Sequence, residues 1–216
     1  MRPHFARTTW VALLPLALAA PAGAQRRWAA ELALGTAWSL RTPLVVEQTG
    51  EPELRIDRAN WETRPWRDSP YYAYRFGVHD GWRGAELELT HHKLYLRDPP
   101  PEIERFEVTH GYNLATGNFV AEVQPRWELR LGAGLVIAHA ESRIRGRSRE
   151  RDSRYEAAGP TVKLSVLRRT RLARALHAAV ETKLTASRAR VGVAGGTARV
   201  PNVAAHALVW LGVKGR

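Results

Sequence analysis

Val203-Ala-Ala-His-Ala-Leu-Val-Trp-Leu-Gly-Val213 alternates without a break. Val203, Ala205, Ala207, Val209, Leu211 and Val213 fall on one side of an extended chain, and Ala204, His206, Leu208 and Trp210 on the other. The period is two, not 3.6, so the segment reads as a strand. One side is wholly apolar, while the other mixes small residues, an aromatic and an imidazole. A strand of a soluble sandwich also has one apolar face, so the fold is decided by whether the pattern recurs.

It recurs seven more times, working back towards the N-terminus. Leu176, Ala178, Val180 and Leu184 alternate with His177, Glu181, Lys183 and Thr185. Val162, Leu164 and Val166 alternate with Thr161, Lys163 and Ser165, and Leu135 and Ile137 with Gly134, Val136 and Ala138. Phe106, Val108, Tyr112 and Leu114 alternate with Glu107, Thr109, Gly111 and Asn113, although His110 falls on the apolar side. Ala85, Leu87 and Leu89 alternate with Glu86, Glu88 and Thr90; Tyr72, Tyr74, Phe76 and Val78 with Ala73, Arg75, Gly77 and His79. Finally, Ala30, Leu32, Leu34, Trp38 and Leu40 oppose Glu31, Ala33, Gly35, Ala37 and Ser39.

The second faces of these eight strands are not those of a wetted sheet. They carry Gly and Ala together with charges of both signs. Small residues suit the narrow interior of an eight-stranded barrel, and charges held there must pair because desolvation is costly. Arg75, Lys163 and Lys183 against Glu86, Glu88, Glu107 and Glu181 provide both signs for a lumen charge network. The reading is therefore an all-β fold: an eight-stranded antiparallel up-and-down transmembrane β-barrel, preferred to a soluble sandwich or lipocalin-like barrel.

The connections follow the short-inside, long-outside rule of membrane barrels. Arg41 to Pro70, Arg97 to Glu102, Glu141 to Arg154 and Ser187 to Arg199 read as external; Asp80-Gly81 is a hairpin turn. Arg168 to Arg174 is a periplasmic turn, and Ala115 to Arg126 a longer periplasmic connection. Eight strands return the C-terminus to the side where the first strand begins.

Residues 1–24 read as a signal peptide and 25–216 as the barrel domain. Arg2 and Arg7 precede the apolar run Val11–Ala20, and Ala22-Gly-Ala24 is a small-x-small cleavage site. That run contains Pro15 and is about half the length of a spanning helix. There is no cysteine, which excludes disulfides and thiol chemistry. The formal charge of +12 falls to +10 once residues 1–24 are removed. Such an excess implies an anionic partner. No nucleic-acid motif accompanies it, which leaves outer-membrane lipid and lipopolysaccharide phosphate as the expected partners. Arg143, Arg145, Arg147 and Arg149 alternate within the densest basic cluster and form the candidate anion-binding set.

The signal, strand count, alternation and loop asymmetry resemble those of the small eight-stranded outer-membrane barrels, the OmpA, OmpX and OmpW class, over Trp28 to Val213. The resemblance implies a monomer in the outer membrane of a Gram-negative bacterium, handled by the outer-membrane insertion machinery. Many such barrels end on a Phe that this machinery reads; this chain ends Trp210-Leu-Gly-Val-Lys-Gly-Arg216. The expected role is non-enzymatic, structural or surface-interacting, without a cofactor. The alternatives are a narrow pore and a barrel enzyme acting on lipid A. Deacylases of the PagL kind are similar in strand number, but they carry a His-x-Ser pair that this sequence lacks. His79, His177 and His206 fall on the lumen side by parity, without metal-ligand spacing.

Overall fold

The computed structural model describes residues 26–109, 111–149 and 155–215; the expected signal peptide lies outside them. The described secondary structure is entirely β. Eight long strands run β1 (Arg27–Ser39), β4 (Tyr72–Asp80), β5 (Arg83–Thr90), β8 (Tyr112–Gln124), β9 (Trp127–Ala138), β12 (Glu156–Arg171), β13 (Leu176–Val193) and β14 (Gly196–Gly215). Each pairs antiparallel with the next, and β1 pairs with β14 from Trp28↔Gly215 to Ser39↔Ala204, which closes the barrel. Closure removes the sheet edges that lipid could not satisfy.

The alternation sorts outside from inside. Leu87, Leu131 and Val209 are 72%, 63% and 62% exposed, and Leu32, Phe76, Val162, Val180 and Leu211 join them on the outer wall. Trp28, Trp82 and Trp127 mark the end that carries the short turns. A closed antiparallel barrel with an outward apolar band is the form proteins take when strands cross a bilayer. The chain is an eight-stranded membrane β-barrel of the outer-membrane kind.

Two readings of the strands change. Ala115 to Gln124 is not a periplasmic connection; it continues β8, and only Pro125 and Arg126 turn. All three connections at that end are therefore short. Nor is Phe106 to Leu114 one strand. The chain bends between β7 (Ile103–Val108) and β8, so the apolar face assigned to Tyr112 and Leu114 points inward, where both are buried.

At the opposite end the connections build structure of their own. β2 (Thr42–Gln48), β3 (Leu54–Glu62), β6 (Leu94–Arg97), β7, β10 (Glu141–Ile144) and β11 (Arg147–Arg149) continue the sheet from the outer part of β14. Together with the ends of β13 and β14 they enclose a dry core of Leu44, Val46, Trp61, Leu94, Ile103, Phe106, Ile144, Val191 and Val200. Trp61 and Phe106 meet with ring centroids 5.9 Å apart. The interior thus changes character along the axis: charged within the membrane segment, apolar beyond it.

Candidate functional site

Inward positions on adjacent strands bring opposite charges within side-chain reach. Arg75 on β4 is at the centre. Its Nε donates to Glu31 at 2.5 Å, and its Nη1 lies 3.1 Å from Glu181 and 3.4 Å from Glu88. Glu86 is 3.7 Å away. Lys163 Nζ donates to Glu88 at 2.6 Å; Lys183 donates to the other oxygen of Glu88 and to Thr90 Oγ1 at 3.0 Å. Of the seven residues assigned to the lumen network from sequence, Arg75, Glu86, Glu88, Lys163, Glu181 and Lys183 come together. Glu107 does not. It sits on β7 in the outer extension, bonded to Arg105, which also reaches Glu141 at 2.7 Å. The bend after Val108 removes it from the lumen.

Sequence reading missed four members. Arg130 on β9 donates to Glu86 at 2.9 Å and Glu128 at 2.5 Å. Arg169 on β12 donates to Glu128 at 2.8 Å and to Glu31, whose Oε1 also lies 2.6 Å from His177 Nε2. Five carboxylates (Glu31, Glu86, Glu88, Glu128, Glu181) thus face five cations (Arg75, Arg130, Arg169, Lys163, Lys183), all buried. Their formal charges cancel. The net positive charge of the barrel domain therefore lies outside these ten residues; one further cation, Lys214, stands at the turn end 3.9 Å from Glu128.

Beyond this network towards the outer end, a neutral hydrogen-bonded layer closes the lumen. His206 Nδ1 is joined to Tyr71 Oη at 2.5 Å and its Nε2 to Thr185 at 2.8 Å. His92 Nε2 meets Asn202 Oδ1 at 3.2 Å, with the His92 and His206 rings 5.2 Å apart. Burial holds the His92 imidazole down to a pKa of about 4. His79, at the turn end, faces Glu86 at 3.6 Å. Among the described residues no three His, Asp or Glu side chains converge as metal ligands do.

The candidate anion-binding arginines do not line one side of an extended chain. Arg145 and Gly146 turn the β10–β11 hairpin, so Ile144 pairs with Arg147 and Ser142 with Arg149. Each arginine then braces a different neighbour. Arg143 contacts Ser148 at 3.2 Å, Arg145 donates to the Pro52 carbonyl at 3.1 Å, Arg147 to that of Thr49 at 3.0 Å, and Arg149 lies 3.8 Å from Glu156. Arg143 stays more than half exposed. Arg190 and Arg199, on the outer wall of the extension, add exposed cations beside Glu47.

No protein-family model matches the chain, and no curated protein sequence does. Solved structures resemble it in overall shape at low identity. The outer membrane protein OprG from Pseudomonas aeruginosa is 9% identical, over 89% of this chain and 97% of that one, with a TM-score of 0.47. The outer membrane protease OmpT from Escherichia coli is 12% identical, over 88% and 97%, with a TM-score of 0.43. Ail, the attachment invasion locus protein of Yersinia pestis, is 9% identical, over 87% and 98%, with a TM-score of 0.41. The membrane assignment rests on the closed sheet and its apolar belt.

Proposed function

We propose that the protein is a sealed monomeric barrel of the outer membrane, delivered there by the insertion machinery, that acts through its outer extension rather than its lumen. Its role is structural or surface-interacting, with the extension's arginines contacting lipopolysaccharide phosphates. The observation that carries this reading is the filled interior. Ten paired charges occupy the membrane segment, and a dry apolar core caps it. A pore of this width has no room left for solutes. Because the lumen charges cancel, the positive excess is presented to the surroundings. Arg143, Arg145, Arg147 and Arg149, with Arg190 and Arg199, supply forked donors suited to phosphate.

The test is thermal unfolding of the refolded barrel in micelles with and without lipopolysaccharide. Stabilisation is expected, and it should weaken with salt and in a variant carrying glutamine at Arg143, Arg145, Arg147 and Arg149. A melting temperature indifferent to lipopolysaccharide would remove the phosphate contact. Discrete conductance in planar bilayers would remove the sealed lumen.

A further inference from the structure

The segment 63–71 leads from β3 into β4 and lies against the outer ends of β5 and β8. There, Ser69 Oγ is 3.0 Å from His91 Nε2, and His91 Nδ1 is 2.8 Å from Asn113 Oδ1. An amide oxygen can only accept. Nδ1 therefore carries the imidazole proton, and Nε2 accepts the serine hydroxyl. That is the relation between a nucleophile, its base and the group that orients the base.

The three side chains are held in place. The His91 ring stacks on Tyr72, centroids 4.8 Å apart at 14°, and its backbone N–H donates to the Tyr72 carbonyl at 2.8 Å. Gly111 has φ +141°, and a Cβ there would lie 1.9 Å from Asn113 Nδ2, so only glycine lets the chain pass against that amide. Lys93 Nζ donates to the carbonyls of Arg67 at 2.5 Å and Ser69 at 2.6 Å, fastening the segment that carries the serine. Asp68, with φ +62°, makes the sharp turn that presents Ser69, which is half-buried between the exposed Asp68 and Pro70.

Parity says where the site opens. His91 continues the outward row of Leu87 and Leu89, Asn113 that of Ala115 and Phe119, and Tyr72 that of Tyr74 and Phe76. The group therefore stands on the outward side of the wall, at the outer edge of the apolar belt and not in the lumen, with His91 and Asn113 buried and Ser69 half-buried. We infer that Ser69, His91 and Asn113 are a hydrolytic centre that cleaves a carboxylic ester of a membrane amphiphile, with acyl chains along the Tyr74 and Phe76 side of the wall. The exposed Arg67 guanidinium stands beside it for an anionic head group. This goes beyond the structural reading above and does not depend on the arginines invoked there.

In the reaction Ser69 Oγ attacks the ester carbonyl while His91 Nε2 takes its proton. Collapse expels the alcohol, which receives that proton from His91, and leaves an acyl-serine. Water, deprotonated by His91, then attacks the acyl carbon. The products are a carboxylic acid, the alcohol and the regenerated serine. Asn113 is a positioning residue, and Gly111 positions Asn113.

The test uses the folded, heat-modifiable barrel in micelles with three ester probes (p-nitrophenyl decanoate, phosphatidylglycerol and lipopolysaccharide) and a fluorophosphonate label. The expected results are ester cleavage, fatty-acid release from one of the two lipids, and a phosphonyl adduct located on Ser69. Ser69→Ala should lower turnover about 10³-fold or more, and His91→Gln should abolish the adduct. Asn113→Ala should lower turnover while Asn113→Asp restores it, with the acid limb of the pH profile moved upward because a carboxylate stabilises the imidazolium. Since the adduct is read on the unmutated protein, it does not depend on any variant folding. No adduct and no cleavage by the folded barrel would overturn the inference. So would full turnover by Ser69→Ala, or cleavage of the decanoate with release from neither lipid.

Discussion

The Arg75 guanidinium lies over the Trp210 ring, 3.8 Å from its centroid, inside the barrel. The last strand therefore turns an aromatic inward to face the cation that four carboxylates share. A desolvated contact of this kind contributes about 2 kcal/mol. Trp210→Leu loses both that contact and part of the ring's packing. We expect it to lower unfolding free energy in detergent by about 3 kcal/mol, within the range for large-to-small core changes. Arg75→Met should be worse than Trp210→Leu, because it leaves Glu31, Glu86, Glu88 and Glu181 short of their common partner. Denaturant titration of both variants decides the order, and a smaller loss for Arg75→Met would contradict the central place given to this residue.

Glu181 and Arg147 offer a cleaner contrast between buried and exposed charge. Glu181 is fully buried and accepts from Arg75 at 3.1 Å. Arg147 is an extension residue whose ion pair with Glu51, at 3.2 Å, is exposed. Removing one partner of a buried pair typically costs about 3–5 kcal/mol, whereas an exposed pair is worth about 0–1 kcal/mol. Glu181→Ala should therefore destabilise the barrel several times more than Arg147→Ala. Equal, small losses for the two would show that Glu181 does not need its charge partners.

Much of the barrel was legible because lipid imposes a strict alternation. Val203 to Val213, Tyr72 to His79 and Leu176 to Thr185 could be assigned inside and outside from parity alone. The strand ends were not, because outward residues become polar where the wall leaves the hydrocarbon. Arg168 and Thr170 face out there, so the run Arg168 to Arg174 has the look of a turn although Arg169 lies on the strand and faces in. Glu128 and Arg130 alternate with Leu129 and Leu131, a signal present in the sequence ahead of Gly134, and the strand runs from Trp127. Glu31 shares a face with Ala33 and Gly35, so its parity alone places it in the lumen. The extension was invisible as a folded unit, since its strands are short and the pairings that join its hairpins, β14 with β2, β3 with β6 and β7 with β10, span long sequence separations. The same holds for Ser69, His91 and Asn113, which no spacing rule connects.

His92 gives the outer layer a pH dependence. It lies in the connection after β5, and burial lowers its pKa from 6.5 to about 4, with the charges of His91 and Lys183 acting in the same direction. The unfolded chain therefore binds a proton between these values that the folded chain refuses. Stability is full above about pH 6.5 and falls as pH drops towards 4, by on the order of 3 kcal/mol in total. His92→Gln should flatten this part of the profile. The neighbouring His206 ring is 5.2 Å away, so the difference between the two proteins reports His92 together with its coupling to His206. Denaturant melts from pH 7 to pH 4.5 should show the divergence growing on the acid side; parallel profiles would mean that His92 is not kept neutral by its surroundings.

The outer extension should lose order before the barrel does. Its core is built around Trp61, which is buried, packs on Phe106 and donates from Nε1 to Thr42 Oγ1 at 3.2 Å. The membrane segment is held by a different set of contacts, the lumen ion pairs and the closed hydrogen-bond ladder. Trp61→Ala leaves a cavity in the extension and removes one of the two hydrogen bonds of the Thr42 hydroxyl, which keeps its bond to the Pro201 carbonyl, a change of about 3–5 kcal/mol for a buried Trp. It touches none of the ten lumen charges. Local stabilities within one protein can differ in this way when its regions rest on separate contacts. The variant should therefore be cut by protease within 49–53 and 97–102, connections that the unmutated protein holds in place. Its heat-modifiable mobility and the protection of β13 and β14 amides from hydrogen exchange should stay unchanged. Loss of barrel protection in step with loop cleavage would show instead that the extension and the membrane segment form one cooperative unit.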